Sequence, residues 1–419
     1  MRKTPHPFLF HATGAALAAA LVLSASSAVG APPPPPPRAL PPPLVLTAPP
    51  VPVTSTPAAL PAATLATISS YLALDLNNLF PYATPTLPAH YDAALVQADN
   101  TPAGNRTTNA GATLGRVLFN DRRLSVNNTV SCASCHQQAN GFTDDNRFSP
   151  GALAGTRTTA HAMRLGNVSF YRPGTMFWDQ RAASLEAQST QPVQNGNEMG
   201  FDASHGGLTA LVTRMQALPY YSPLFQWAFG TPGITEARIQ RALAQYERSM
   251  VSAGSRWDTG FATVYNAQLP DRGLSLDVPG LSAQENLGRR LFMVGPQQGG
   301  VGCATCHQPP TFALGGNARS NGLDAGNTVV FKSPSLKNVG LGKAFMHDGR
   351  FATLEQVVDH YDHGVKDGPA LDNRLKAPNG QPRVLNLSAA NKAALVAFMK
   401  TLTDTAFLAD PRFSDPFNP

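Results

Sequence analysis

The chain has 419 residues, 42% of them apolar, and a formal charge of +6. That length accommodates two ordinary domains, and the apolar content excludes a disorder-dominated chain. Lys and Arg are scattered without runs or interleaved aromatics, which excludes a nucleic-acid surface and leaves an ordinary solvated one.

At the N-terminus, Arg2 and Lys3 precede an apolar run from Ala15 to Leu23 and small residues from Ser24 to Ala31. This is the pattern of a secretory signal, read as residues 1–28 with Ser26 and Ala28 at the small positions before the cut. The run is short of the roughly 18 to 20 apolar residues a transmembrane helix needs, so export to the periplasm is expected, with a retained N-terminal anchor as the alternative. Residues 29–61 are dominated by proline, including the unbroken run Pro32 to Pro37, and read as an extended linker.

Beyond the linker, short amphipathic stretches alternate with Gly and Pro breaks, which predicts a mainly α fold with long loops. An internal repeat stands out: Leu114-Gly115-Arg116-Val117-Leu118-Phe119 leads to Cys132, and Leu287-Gly288-Arg289-Arg290-Leu291-Phe292 leads to Cys303. Two related modules follow, expected at residues 62–270 and 271–419, with Ala267 to Gly273 as the linker between them. The last strong helix is expected from Ala389 to Thr403, packed as a terminal lid on the second module.

All four cysteines lie in two copies of one motif, Cys132-Ala133-Ser134-Cys135-His136 and Cys303-Ala304-Thr305-Cys306-His307, which leaves none for disulfides. Two thiols one helical turn apart suit two thioether bonds to a haem edge, with the following imidazole reaching the iron. The alternative is a structural zinc site using both pairs, but zinc does not need a His after each second Cys. The expected fold is therefore two c-type cytochrome domains, each wrapped around one covalently attached haem. Propionates from two haems would bring the charge close to neutral once Arg2 and Lys3 leave with the signal.

The stretch Phe177-Trp178-Asp179-Gln180-Arg181-Ala182, then Leu185-Glu186-Ala187-Gln188, then Glu198-Met199-Gly200, resembles the bacterial di-haem cytochrome c peroxidase and MauG family. The resemblance extends over roughly residues 105 to 405 and includes Leu124-Ser125, Phe331 to Val339 and Met346-His347-Asp348-Gly349-Arg350-Phe351. It implies that Trp178 relays electrons between the haems, and that Gln188 and Glu198 line the open face of the N-terminal haem. The chemistry of the residues agrees: splitting peroxide heterolytically moves a proton from the inner oxygen to the outer one, which a carboxylate over the iron performs. An amide beside it orients peroxide or water without competing for the proton. Taken singly, a Trp is more often core and a Glu more often a solvated surface residue.

Two departures from the family pattern bear on mechanism. Many members carry a distal histidine in the loop before the tryptophan, and here only His161 lies in that loop, where the family commonly has an asparagine that helps bind an inter-domain calcium. His161 is thus a calcium-site replacement, a distal ligand or a packed polar residue, while main-chain carbonyls at Gly342 and Ala344 remain as calcium ligands. The sixth ligand of the C-terminal haem is a methionine or a tyrosine across the family, and Tyr361 falls at that position, fourteen residues after His347. Met346, His360 and His363 are its chemical rivals.

The resemblance implies an enzyme that reduces hydrogen peroxide at the haem held by His136. Its electrons would come from cytochrome c or a similar small carrier, through the haem held by His307 and then Trp178. One alternative is MauG-like oxidation of residues on a partner protein, favoured by Tyr361 and the missing distal histidine. The other is a plain di-haem electron carrier, against which Gln188 and Glu198 argue.

Overall fold

The computed structural model describes Pro57, residues 59–314 and residues 316–419. The expected signal at 1–28 lies outside the described residues, as does nearly all of the expected linker at 29–61. The described chain is mainly helical, with long loops. Its helices of five or more residues are α1 (Ala62–Ser69), α2 (Asn109–Asn120), α3 (Leu185–Ser189), α4 (Gly207–Ala217), α5 (Tyr221–Phe229), α6 (Glu236–Arg248), α7 (Arg256–Val264), α8 (Ala283–Met293), α9 (Leu354–Asp359) and α10 (Ala389–Lys400). A single antiparallel hairpin pairs β1 (His307–Gln308) with β2 (Ala313–Leu314), His307 opposite Leu314. Among the described residues no helix is long and apolar enough to cross a membrane.

The repeated Leu-Gly-Arg words lie on α2 and α8, and each glycine has the same task. A Cβ on Gly115 would come within 2.1 Å of the Ala242 carbonyl oxygen on α6, and one on Gly288 within 1.8 Å of the Ala394 carbonyl oxygen on α10. Glycine lets each helix press its backbone against its partner. Both helices start from side-chain caps: the Thr108 hydroxyl accepts from Gly111 N on α2, and Ser282 with Glu285 forms a capping box on α8. A methyl group here must push two backbones apart. Gly288→Ala is therefore expected to lower stability by about 1–3 kcal/mol through overpacking. The urea-denaturation midpoint reads this, and an unchanged midpoint would mean that the helices separate freely.

Two hydrophobic cores surround these pairs. The first gathers α2, α4, α5 and α6 through Leu114, Leu118, Phe119, Leu211, Tyr221, Phe225, Leu243 and Tyr246. The second gathers α7, α8, α9 and α10 through Trp257, Phe261, Phe292, Phe312, Leu354, Leu395 and Phe398. The cores do not follow the chain strictly in sequence. Trp257 and Phe261, which precede the expected boundary at 270/271, belong to the second core, whereas Phe407 and Phe413 belong to the first. Helix α10 packs on α8 as expected but stops at Lys400, where Thr401 turns its hydroxyl back to the Phe398 carbonyl oxygen. It is not terminal, because the chain beyond it returns to the first core.

Candidate haem centres

Each Cys-x-x-Cys-His is held by local structure. Cys132–Cys135 forms one helical turn, capped by Ser131, whose backbone N–H donates to the Ser134 hydroxyl at 2.9 Å. His136 follows at the end of that turn, its Nδ1 3.1 Å from the Phe142 carbonyl oxygen. That carbonyl can only accept, so Nδ1 carries the proton and Nε2 keeps its lone pair for a metal. In the second motif Cys303–Thr305 is a 3-10 turn, and His307 opens β1 with its Nδ1 3.0 Å from the Ser333 hydroxyl. Burial lowers the pKa of both imidazoles, that of His307 to about 4, so both rings are neutral near pH 7.

All four cysteines are unpaired. Burial pushes the Cys135 thiol up to about 11 and the Cys303 thiol to about 12, and raises Cys132 and Cys306 as well. Among the described residues no three His, Cys, Asp or Glu side chains converge as a metal cluster, and the two Cys pairs line different cavities.

The first motif opens into a cavity of about 370 Å³ lined by Cys132, Cys135, His136, Trp178, Gln188 and Glu198. The second opens into one of about 230 Å³ lined by Cys303, Cys306, His307, Trp178, Met346 and Tyr361. Apolar walls, a thiol pair at the edge and a neutral imidazole with a free lone pair fit haem. Residues 161–164, Trp178, residues 331–335 and His347 line both cavities and form a shared wall.

Glu198 accepts a hydrogen bond from Asn195 Nδ2 at 3.0 Å. Burial raises its pKa, opposed by the charge of Arg181. Gln188 is carried on α3, which Ser184 caps through a hydrogen bond from Ala187 N. Trp178 is fixed in the shared wall: its indole N–H donates to the His161 carbonyl oxygen at 2.8 Å, and its own carbonyl accepts from Lys332 N at 2.7 Å. The ring of His347 lies 6.5 Å away and is itself stacked on Phe331 at 3.9 Å.

Positive φ angles extend the internal repeat beyond its sequence words. Phe142 and Phe312 follow the two motifs, Asn167 and Asn338 hold the loops behind them, and Phe177 and Met346 form a third pair, with φ values between 54° and 72°. Small antiparallel bridges close both final loops, Met176 to Ala182 and Phe345 to Phe351. Trp178 and His347, each one residue beyond the strained position, are thus counterparts that meet at the shared wall. In the sequence His347 lies within Met346 to Phe351 and carries no local signal of this role.

The rivals for the sixth position separate cleanly. His360 Nε2 lies 3.1 Å from the Asn321 carbonyl oxygen, and the His363 side chain is 61% exposed beside Asp362. Met346 and Tyr361 both reach the cavity, and the Met346 sulfur accepts from Asn321 Nδ2 at 3.3 Å. Tyr361 lies in a π-helical turn, His360–Gly364, that prolongs α9; such turns recur at functional sites. Burial holds its phenol far above the ordinary range, so a phenolate needs a cation within reach.

His161 is buried, with Nδ1 3.0 Å from the Asn146 carbonyl oxygen and Nε2 3.1 Å from the Thr143 hydroxyl. Both ring nitrogens are engaged, and the residue packs as a polar support beneath Trp178.

Helical layers around two cavities that share a wall, each with its own Cys-x-x-Cys-His, define a di-haem oxidoreductase. The model of the di-haem cytochrome c peroxidase family matches residues 109–264 and 282–403, and the chain belongs to that family, which implies two haems. Its similarity to the methylamine utilization protein MauG of Methylorubrum extorquens is 32% identity over 323 residues, 72% of this chain and 80% of that protein. Against the cytochrome c551 peroxidase of Nitrosomonas europaea it is 31% over 317 residues, 70% and 79% of the two chains. Among solved structures, a MauG-like protein associated with microbial copper homeostasis superposes with a TM-score of 0.60 at 29% identity, covering 80% of this chain and 98% of that one. These relatives are oxidoreductases, and so is this chain.

Proposed function

We propose that the protein is an exported, periplasmic di-haem peroxidase, with one haem joined to Cys132 and Cys135 and another to Cys303 and Cys306. In this reading hydrogen peroxide, two electrons and two protons give two waters, and a small carrier such as cytochrome c donates the electrons. The haem iron supplies the binding site for peroxide and the acceptor for electrons. Glu198 takes the proton from the inner oxygen and returns it to the outer one, while Gln188 orients the bound oxygen pair. The N-terminal module, within 62–270, is peroxidatic, and the C-terminal module, within 271–419, collects electrons.

The observation that carries this reading is the position of Trp178, locked by two hydrogen bonds in the one wall that both cavities share. Trp178→Phe is expected to slow electron passage between the haems while the first reaction with peroxide stays fast. Stopped-flow spectra separate these phases, and wild-type traces from the variant would remove Trp178 from the path.

Attachment itself is read by intact mass, expected to exceed the processed polypeptide by two haems. Loss of a thioether pair in Cys303→Ala with Cys306→Ala should remove one haem and spare the other. A wild-type mass without haem would overturn the whole reading.

A second reading has a specific support. Tyr361 reaches the C-terminal cavity beside Met346, and an anionic oxygen ligand there would favour MauG-like oxidation of a partner protein over steady uptake of electrons. Both readings keep an inter-domain calcium, with the main-chain carbonyls of Gly342 and Ala344 among its ligands, as part of the proposal. His161 has both ring nitrogens in hydrogen bonds, so the ligands would be oxygens.

A further inference from the structure

The shared wall contains a charge that no described residue answers. Arg164 lines both cavities, and its Nε and Nη2 are shielded from solvent with no hydrogen-bond partner among the described residues. The other deeply placed guanidiniums are all met: Arg248 by Glu186 at 2.6 and 3.0 Å, Arg289 by Asp277 at 3.0 Å, and Arg116 by the carbonyl oxygen and hydroxyl of Ser414. The second cation of the wall, Lys332, is also accommodated, its ammonium 4.0 Å above the Tyr171 ring and 3.3 Å from the Met176 sulfur. Burial lowers the pKa of Arg164 only to about 10, so it remains charged near pH 7.

A guanidinium with two shielded and unpartnered nitrogens is unfavourable, and its planar fork matches a carboxylate. The carboxylates that the two cavities admit are the propionates of the haems themselves. We propose that Arg164 is a propionate-binding residue, holding a haem carboxylate at the wall between the two cavities and thereby setting the reduction potential of that haem. This rests on the reading that both cavities hold haem. A propionate without a counter-charge stabilises ferric over ferrous iron; a guanidinium against it cancels that bias. Arg164 then makes the haem it grips easier to reduce, at the place where electrons cross.

The test is a spectroelectrochemical titration of the purified di-haem protein beside Arg164→Gln and Arg164→Lys, with intact mass confirming both haems. In Arg164→Gln at least one haem is expected to shift to lower potential, and the haem that shifts is the one whose propionate is held. Arg164→Lys, which keeps the charge, is expected to recover most of the shift. Potentials identical to wild type for both haems in Arg164→Gln overturn the proposal. Should that variant fail to fold, Arg164→Lys still decides through its resonance Raman propionate-bending bands, which move if the fork is lost and stay fixed if Arg164 never touched the group. None of these readouts uses peroxide turnover, so they stand apart from the peroxidase reading. A wild-type chain without haem would overturn both.

Discussion

Glu198→Gln is expected to keep both haems and lose roughly 10²- to 10⁴-fold in peroxide turnover, the range for removal of a general acid–base group. The amide preserves size and can still meet Asn195, but it cannot accept a proton from one oxygen and hand it to the next. The pH dependence carries the same signature. Burial raises the Glu198 carboxyl above its ordinary range, so the group holds its proton to higher pH than a free glutamate. As the acceptor it works only when ionised, so the wild-type rate falls as pH drops through that raised pKa. Glu198→Gln should lack this limb altogether. A variant with wild-type kinetics and the same acid limb would assign the proton transfer elsewhere.

The second large effect is expected at Tyr361. If its phenolate is the sixth ligand opposite His307, Tyr361→Phe turns the C-terminal haem from low-spin to high-spin or water-bound, with a raised reduction potential, because an anionic ligand favours ferric iron. Tyr361→Met should raise the potential further towards that of a His/Met site and speed reduction by cytochrome c. Low-temperature electron paramagnetic resonance of the oxidised protein reads the spin state directly. An unchanged low-spin signal in Tyr361→Phe would transfer the ligand role to Met346, which shares the cavity, and would strengthen the peroxidase reading against the MauG-like one.

What the sequence made legible was mostly local. The Cys-x-x-Cys-His words carry their chemistry within five residues, and the Leu-Gly-Arg repeat marks a helix whose glycine must touch another backbone, so both could be found by reading along the chain. Trp178, Gln188, Glu198 and Tyr361 emerged from register within a resemblance, and all four line the expected cavities. Arg164 was invisible because an arginine in a loop is ordinarily solvated, and only the folded wall removes its partners. The π-helical turn at Tyr361 escaped for a related reason: one additional residue in a turn leaves no mark in hydrophobic periodicity. Helix α7 was assigned by composition to the module before it, since the polar, Gly- and Pro-containing stretch near Ala267 looks like a boundary. Trp257 nevertheless packs against Phe312, with ring centroids 4.8 Å apart, in the second core.

The returning C-terminal segment imposes an order on assembly. Phe407 and Phe413 complete the first core against Phe142, and the Tyr82 hydroxyl reaches the Arg412 carbonyl oxygen across 330 positions of sequence. Contacts so distant in sequence form late, because the loop they close must be ordered before they contribute. The first core therefore stays incomplete until the last residues have folded back onto it. A chain cut short before residue 405 would lack Phe407 and Phe413 and leave that core open beside Phe142.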